Sequence, residues 1–230
     1  MNTSFADIEK KENRKDLIIS ICVFLSGFSC FAQLYYFQPL LPDLAKDFIL
    51  SASESSFAIS FSTLGMVFGL FTTMFVADRI PRKKMIGTGL LSSSIFSVAA
   101  SFSPTFLPLI LLSAAKGFLL SGATSVSMAY IAEEVSSRNK GKIMGLYIAG
   151  NALGGMAGRV ISSWIGALYT WRIASVSIGL ICALFAILFL LFSPRSTNFM
   201  PRKESFHTLI IANLQLITSK ALIPFYLTGG

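Results

Sequence analysis

Six stretches of this chain, at 17–40, 55–77, 85–103, 106–131, 143–168 and 172–193, are each apolar for about the 20 residues that a helix needs to cross a bilayer. Hydrocarbon offers no hydrogen bonds, so each stretch must satisfy its backbone internally, and helices are predicted rather than open sheets. Composition agrees. Of the 230 residues 53% are hydrophobic and 13% charged, with a mean hydropathy of +0.69. Soluble domains carry about twice that share of charge. The first stretch is too long for a signal-peptide core and its leader mixes charges, so it is expected to stay as an uncleaved first helix.

Lys and Arg fall on one side of these stretches. Lys10, Lys11, Arg14, Lys15, Arg79, Arg82, Lys83, Lys84, Arg138, Lys140, Lys142, Arg195, Arg202, Lys203 and Lys220 make fifteen of the nineteen cations. The opposite side receives Lys46 and Arg172, with Asp43, Asp47 and Glu54 nearby. This bias predicts a multi-pass protein of the plasma membrane, the bacterial inner membrane, with its N-terminus cytoplasmic. The net charge of +8 is then a topology signal, and no nucleic-acid partner is expected.

Short connections force antiparallel neighbours, so the expected fold is an all-α membrane protein with one six-helix bundle over 17–193. A cytoplasmic tail, 1–16, precedes it. Residues 194–220 form a basic cytoplasmic linker, in which HTLIIANLQLITSK is suited to lie on the membrane surface as an amphipathic helix. A seventh spanning helix begins at Ala221. The pattern is that of one half of a two-half protein, with a C-terminal half as its partner.

Chemistry-bearing clusters are sparse. Cys22, Cys30 and Cys182 lie in apolar runs without metal-ligand spacing, and His207 is the sole histidine. No metal, cofactor or catalytic cluster is expected, and a membrane enzyme is the weakest function class. The segment GNALGGMAGR, 150–159, poses a choice between a phosphate loop and a helix face that admits a second helix. A phosphate loop follows a strand and opens a helix, whereas this segment lies in mid-span. Glycines at four-residue spacing there let helix backbones approach closely.

Lys116 and Arg159 stand about nine or ten residues from the outer end of their helices, or ~14 Å deep at ~1.5 Å per residue. A charge at that depth costs at least ~2.5 kcal/mol on insertion scales, and no carboxylate lies deep in the six stretches. Three accounts remain open. The cations meet acids of a second half, they hold an anionic group of a small-molecule substrate, or they snorkel to the outer interface. Polar strips accompany them: Ser113, Thr124 and Ser127 beside Lys116, Tyr147 and Asn151 beside Arg159, and Gln33, Tyr36 and Gln38 on the first helix. Interhelical hydrogen bonds use the same residue types. Pro39 and Pro42 are expected to end the first helix.

Between the second and third stretches runs FVADRIPRKK, 75–84. An acid at a helix C-terminus is disfavoured by the dipole, so Asp78 calls for a partner that Arg79 or Arg82 would supply; the other reading is that these cations only fix topology. The segment resembles the G-x-L-A-D-R-x-G-R-K motif of the major facilitator superfamily. Asp78, Arg79, Arg82 and Lys83 match, while Met74 and Pro81 replace its glycines. The resemblance implies a cytoplasmic charge network that helps to hold the outward-open state. Gly150, Gly154 and Gly158 are similar to the G-x-x-x-G-P-x-x-G-G motif of that family's drug and metabolite antiporters, with Gly155 in place of the proline and Arg159 in place of the last glycine. LSGATSVSMAYIAEE and TWRIA extend the likeness to efflux-type members.

The resemblance implies a secondary active transporter that exports a drug or metabolite by proton-coupled antiport through alternating access. In the fourth helix the family's coupling arginine falls on Ser113, and Lys116 is the cation that stands in for it. The alternative is a six-helix membrane protein that acts as a scaffold or has no transport activity.

Overall fold

A computed structural model describes the backbone of residues 5–199 and the side chains of 10–199. Helix α1, Phe5–Tyr35, gives way to a 3-10 turn at Gln38–Leu40 and two short helices, α2, Leu41–Asp47, and α3, Ala52–Ser55. Five long helices follow: α4, Phe57–Val76; α5, Arg82–Ser101; α6, Phe106–Glu134; α7, Lys140–Leu168; and α8, Trp171–Phe192. With α1 they form the six-helix bundle. The amphipathic helix expected within 194–220 and the spanning helix expected from Ala221 lie outside the described residues.

Helix α1 begins well before its apolar stretch. The leader EKKENRKD is made of good helix formers, and its end is tied down by polar contacts. Lys15 Nζ lies 2.8 Å from Glu134 Oε2, and Asp16 accepts from Ser136 Oγ and from Asn139 Nδ2 at 2.8 Å. At the other end Pro39 and Pro42 follow the last turn of α1, and each enters the first turn of a new helical segment, where a missing N–H costs nothing.

Four helical runs among the described residues are long and apolar enough to cross a membrane: Lys10–Asp47, Ala52–Arg79, Phe106–Glu134 and Trp171–Phe192. Helices α5 and α7 have the length, 20 and 29 residues, but less apolarity. Ser93, Ser94, Ser97 and Ser101 of α5 are buried, and the first two donate back to the Leu90 carbonyl at 2.8 Å. Helix α7 spends its buried face on glycine. The two helices are less apolar because their inward residues are small.

Helix α1 packs on α7 and α8, α6 on α4 and α5, and α5 on α8. Without a hydrophobic drive in lipid, helices associate where small residues permit close packing. A Cβ built on Gly150 would stand 2.6 Å from the Phe24 carbonyl oxygen, one on Gly154 would collide with the Phe28 backbone, and one on Gly158 would lie 2.7 Å from Ala32 Cα. Three glycines of α7, four residues apart, thus sit on three residues of α1 with the same spacing. Gly117 and Gly65 do likewise between α6 and α4.

The end remote from the basic loops is closed by side chains. Arg172 Nη2 lies 2.9 Å from Asp47 Oδ2, which also accepts from Trp171 Nε1 at 3.0 Å. Arg172 Nη1 reaches the carbonyls of Ser101 and Ser103 at 2.9 and 3.0 Å. This clasp joins the start of α8 to α2 and to the end of α5.

Gly154→Val is expected to lower stability by at least ~1–3 kcal/mol through overpacking against α1. Gly145→Ala, where an added Cβ meets nothing within 4 Å, is expected to be neutral. Thermal denaturation of the full-length protein in detergent compares the two.

Candidate functional site

The polar side chains that the sequence singles out separate into three groups. The first is at the basic end. Arg82 is 8% exposed and sits at the start of α5. Its Nη2 lies 3.0 Å from Asp78 Oδ1 and 3.1 Å from Glu133 Oε1, its Nε donates to Glu133 at 3.2 Å and its Nη1 to the Ala77 carbonyl at 2.6 Å. Asp78 therefore finds Arg82, and a second acid at the end of α6 joins them. Lys83 bonds the other way, its amine to the Ser193 carbonyl at the C-terminus of α8 and its backbone N–H to Ser196 Oγ at 3.0 Å. A cation there complements the helix dipole.

Glu134 extends the network. It takes Lys15, Thr197 Oγ1 at 2.9 Å and the Asn198 N–H at 2.8 Å, while Asn198 Nδ2 donates to the Glu133 carbonyl at 2.7 Å. The ends of α1, α4, α5, α6 and α8 thus share one set of charges. Sequence reasoning passed over Glu133 and Glu134, although they are acids at a helix C-terminus and invite the argument applied to Asp78.

The second group is inside the bundle. Lys116 is 1% exposed and Gln33 and Tyr36 are fully buried. The Lys116 amine lies 4.5 Å from the Tyr36 ring centroid and 4.8 Å from that of Phe37. Those ring faces attract the cation, but among the described residues no hydrogen-bond acceptor or carboxylate meets it. Gln33 Oε1 accepts from Ser97 at 3.2 Å, while Gln33 Nε2, Tyr36 Oη and Ser113 Oγ have no partner among the described residues. Thr124 and Ser127 bond back to carbonyls of their own helix and are satisfied locally.

The third group lies where α7 faces α1. Arg159 is half-buried and its guanidinium carbon stands 4.5 Å from the Tyr35 ring centroid. Its Nε donates to Gln38 Oε1. About two and three turns away, Asn151 and Tyr147 close over Gly27, where the Asn151 side chain occupies the place of an absent Cβ. The Tyr147 hydroxyl reaches toward the Thr124 carbonyl at 3.5 Å. Lys116 and Arg159 share no partner: one is enclosed by aromatic rings, the other sits at the edge of α7 between exposed Met156 and Val160. Tyr35, the platform under Arg159, carried no signal in the sequence beyond its aromatic type. Among the described residues no cluster of three or more metal-ligating side chains occurs.

Residues 20–230 match the model of the Major Facilitator Superfamily. An uncharacterized transporter of Buchnera aphidicola subsp. Schizaphis graminum is 38% identical over 200 residues, covering 87% of this chain and 48% of its own. The inner membrane transport protein YnfM of Escherichia coli is 36% identical over 212 residues, with 92% and 51% covered. Among solved structures the proton:xylose symporter XylE superposes with a TM-score of 0.73 at 16% identity, over 92% of this chain and 51% of that one. The chain spans about half the length of these relatives.

The basic-end network predicts that Arg82→Gln and Glu133→Gln are not additive. Their double-mutant cycle in thermal or denaturant unfolding should show a coupling of about 1 kcal/mol, the size found for contacting charged residues.

Proposed function

The chain belongs to the major facilitator superfamily, and on that premise we propose that it is the N-terminal half of a secondary active transporter. In this proposal a second six-helix half completes the protein, a small molecule binds near the bilayer midplane between the halves, and rocking of one half on the other alternates access. The observation that carries the reading is the combination of a membrane-spanning bundle of this family with mid-membrane cations that no described carboxylate neutralises. A scaffold has no need of such cations, which are expensive in a membrane.

The roles divide by position. Asp78, Arg79, Arg82 and Lys83, with Glu133, form the gate at the basic end, which the Lys and Arg bias assigns to the cytoplasm. Gly150, Gly154 and Gly158 hold the α1–α7 seam, and Gly155 leaves room for Tyr35. Arg159 faces the substrate path, and Asn151 and Tyr147, packed over Gly27, are candidates to support it. Lys116, with Gln33 and Tyr36, is the coupling group, since an amine without a carboxylate partner is competent to carry a proton. The direction is export in exchange for protons, as the likeness of the helix-7 glycines to the antiporter motif suggests, and the site of action is the bacterial inner membrane.

The full-length protein in vesicles with an imposed pH gradient tests this. Addition of a transported substrate should collapse the gradient in wild type. Lys116→Met should abolish that collapse while the variant still folds and binds substrate. A gradient that is insensitive to drugs, metabolites and organic anions alike would return the chain to the scaffold class.

A further inference from the structure

We propose that Arg159 is a recognition residue for the carboxylate of a monoanionic substrate; the inference rests on the transporter reading and names the substrate class of that same path. The guanidinium is held on two of its sides. Its Nε is taken by Gln38 Oε1 and its face lies on the Tyr35 ring. Tyr35 is itself set by α7, because Gly155 leaves the space that the ring fills: a Cβ built there would stand 3.3 Å from Tyr35 Cδ2. What remains is the pair of Nη groups. Among the described residues neither has a hydrogen-bond or ion-pair partner, and the middle of every described spanning helix is free of Asp and Glu.

A fixed planar fork with two free donors matches a carboxylate in bidentate geometry, which an ammonium does not reproduce. The edge of α7 that carries Arg159 is uncovered by the described residues, as the 61% and 67% exposure of Met156 and Val160 shows. Lipid is a poor occupant for that edge because a guanidinium in hydrocarbon is heavily penalised. A water-accessible path is the occupant that tolerates it. The charge count matches a single carboxylate. Among the described residues Arg159 is the one cation at this edge, since Lys116 is enclosed elsewhere, so one negative charge is balanced there.

A carboxylate can reach Arg159 from a substrate or from an acid of the second half, and binding to the full-length protein separates the two. Calorimetric titration with acetate, benzoate, neutral benzamide and inorganic phosphate should show binding of a monocarboxylate and none of the amide. Arg159→Lys, which keeps the charge and loses the fork, should weaken that binding at least tenfold. Gln38→Leu and Tyr35→Leu, which leave the arginine in place, should weaken it to a lesser degree, and a monodisperse elution profile for each variant separates lost binding from lost fold. Failure of every carboxylate to bind, equal binding in wild type and Arg159→Lys, or preference for phosphate overturns the proposal. If neutral or cationic compounds are transported and Arg159→Lys transports them normally, the transporter reading stands and this one falls. If carboxylates bind through Arg159 and nothing is transported, the reverse holds.

Discussion

The backbones of α1 and α7 meet at three levels, where Gly150, Gly154 and Gly158 rest on Phe24, Phe28 and Ala32. In a hydrocarbon solvent two helices gain little by hiding apolar side chains from lipid, and close contact between main chains has to supply the association. The remaining geometry depends on it. With the α1–α7 distance set by absent side chains, Tyr35 and Gln38 are brought to Arg159, and the Asn151 side chain fits over Gly27. The glycine contacts between α4 and α6 play the same part on the other side of the bundle, so two tight pairs frame an interior that α5 and α8 complete.

That interior is polar without being acidic. Serines of α5 bond back to their own helix, Gln33 accepts from Ser97, and Lys116 lies against two aromatic rings. Gln33 Nε2 and the Lys116 amine find no acceptor among the described residues, and unsatisfied polar groups are expensive inside a membrane. The carboxylates are kept at the two ends. At the basic end Asp78, Glu133 and Glu134 hold Arg82 and Lys15; at the other, Asp47 holds Arg172 and Trp171. The acids of the bundle are thus paired with cations at its two ends, while the cations of its middle meet no carboxylate among the described residues.

Much of the fold was legible from local patterns. Apolar length located every long helix, and the prolines marked the end of α1. The limits were also physical. Hydropathy treats Ser and Gly as weak apolar signal, so α5 and α7, whose small residues face inward, look less like spanning helices than they are. The leader's helix formers are local, but what ties it to the bundle is the pairing of Lys15 and Asp16 with residues about 120 positions away, which no local window contains.

The candidate site divides in the same way. Position along a helix follows from counting residues at a constant rise, so the sequence by itself determined that Lys116 and Arg159 stand at matching distances from the ends of their helices with no local acid, and that the glycines of α7 form one face. Which way each cation faces is a different quantity. It depends on how every helix is rotated against its neighbours, and that rotation is set by the glycine contacts and by the packing of α1 between α7 and α8. Only the tertiary structure could therefore enclose Lys116 beside Tyr36 and Phe37, leave the fork of Arg159 open beside Tyr35, and choose Arg82 and Glu133 as the companions of Asp78.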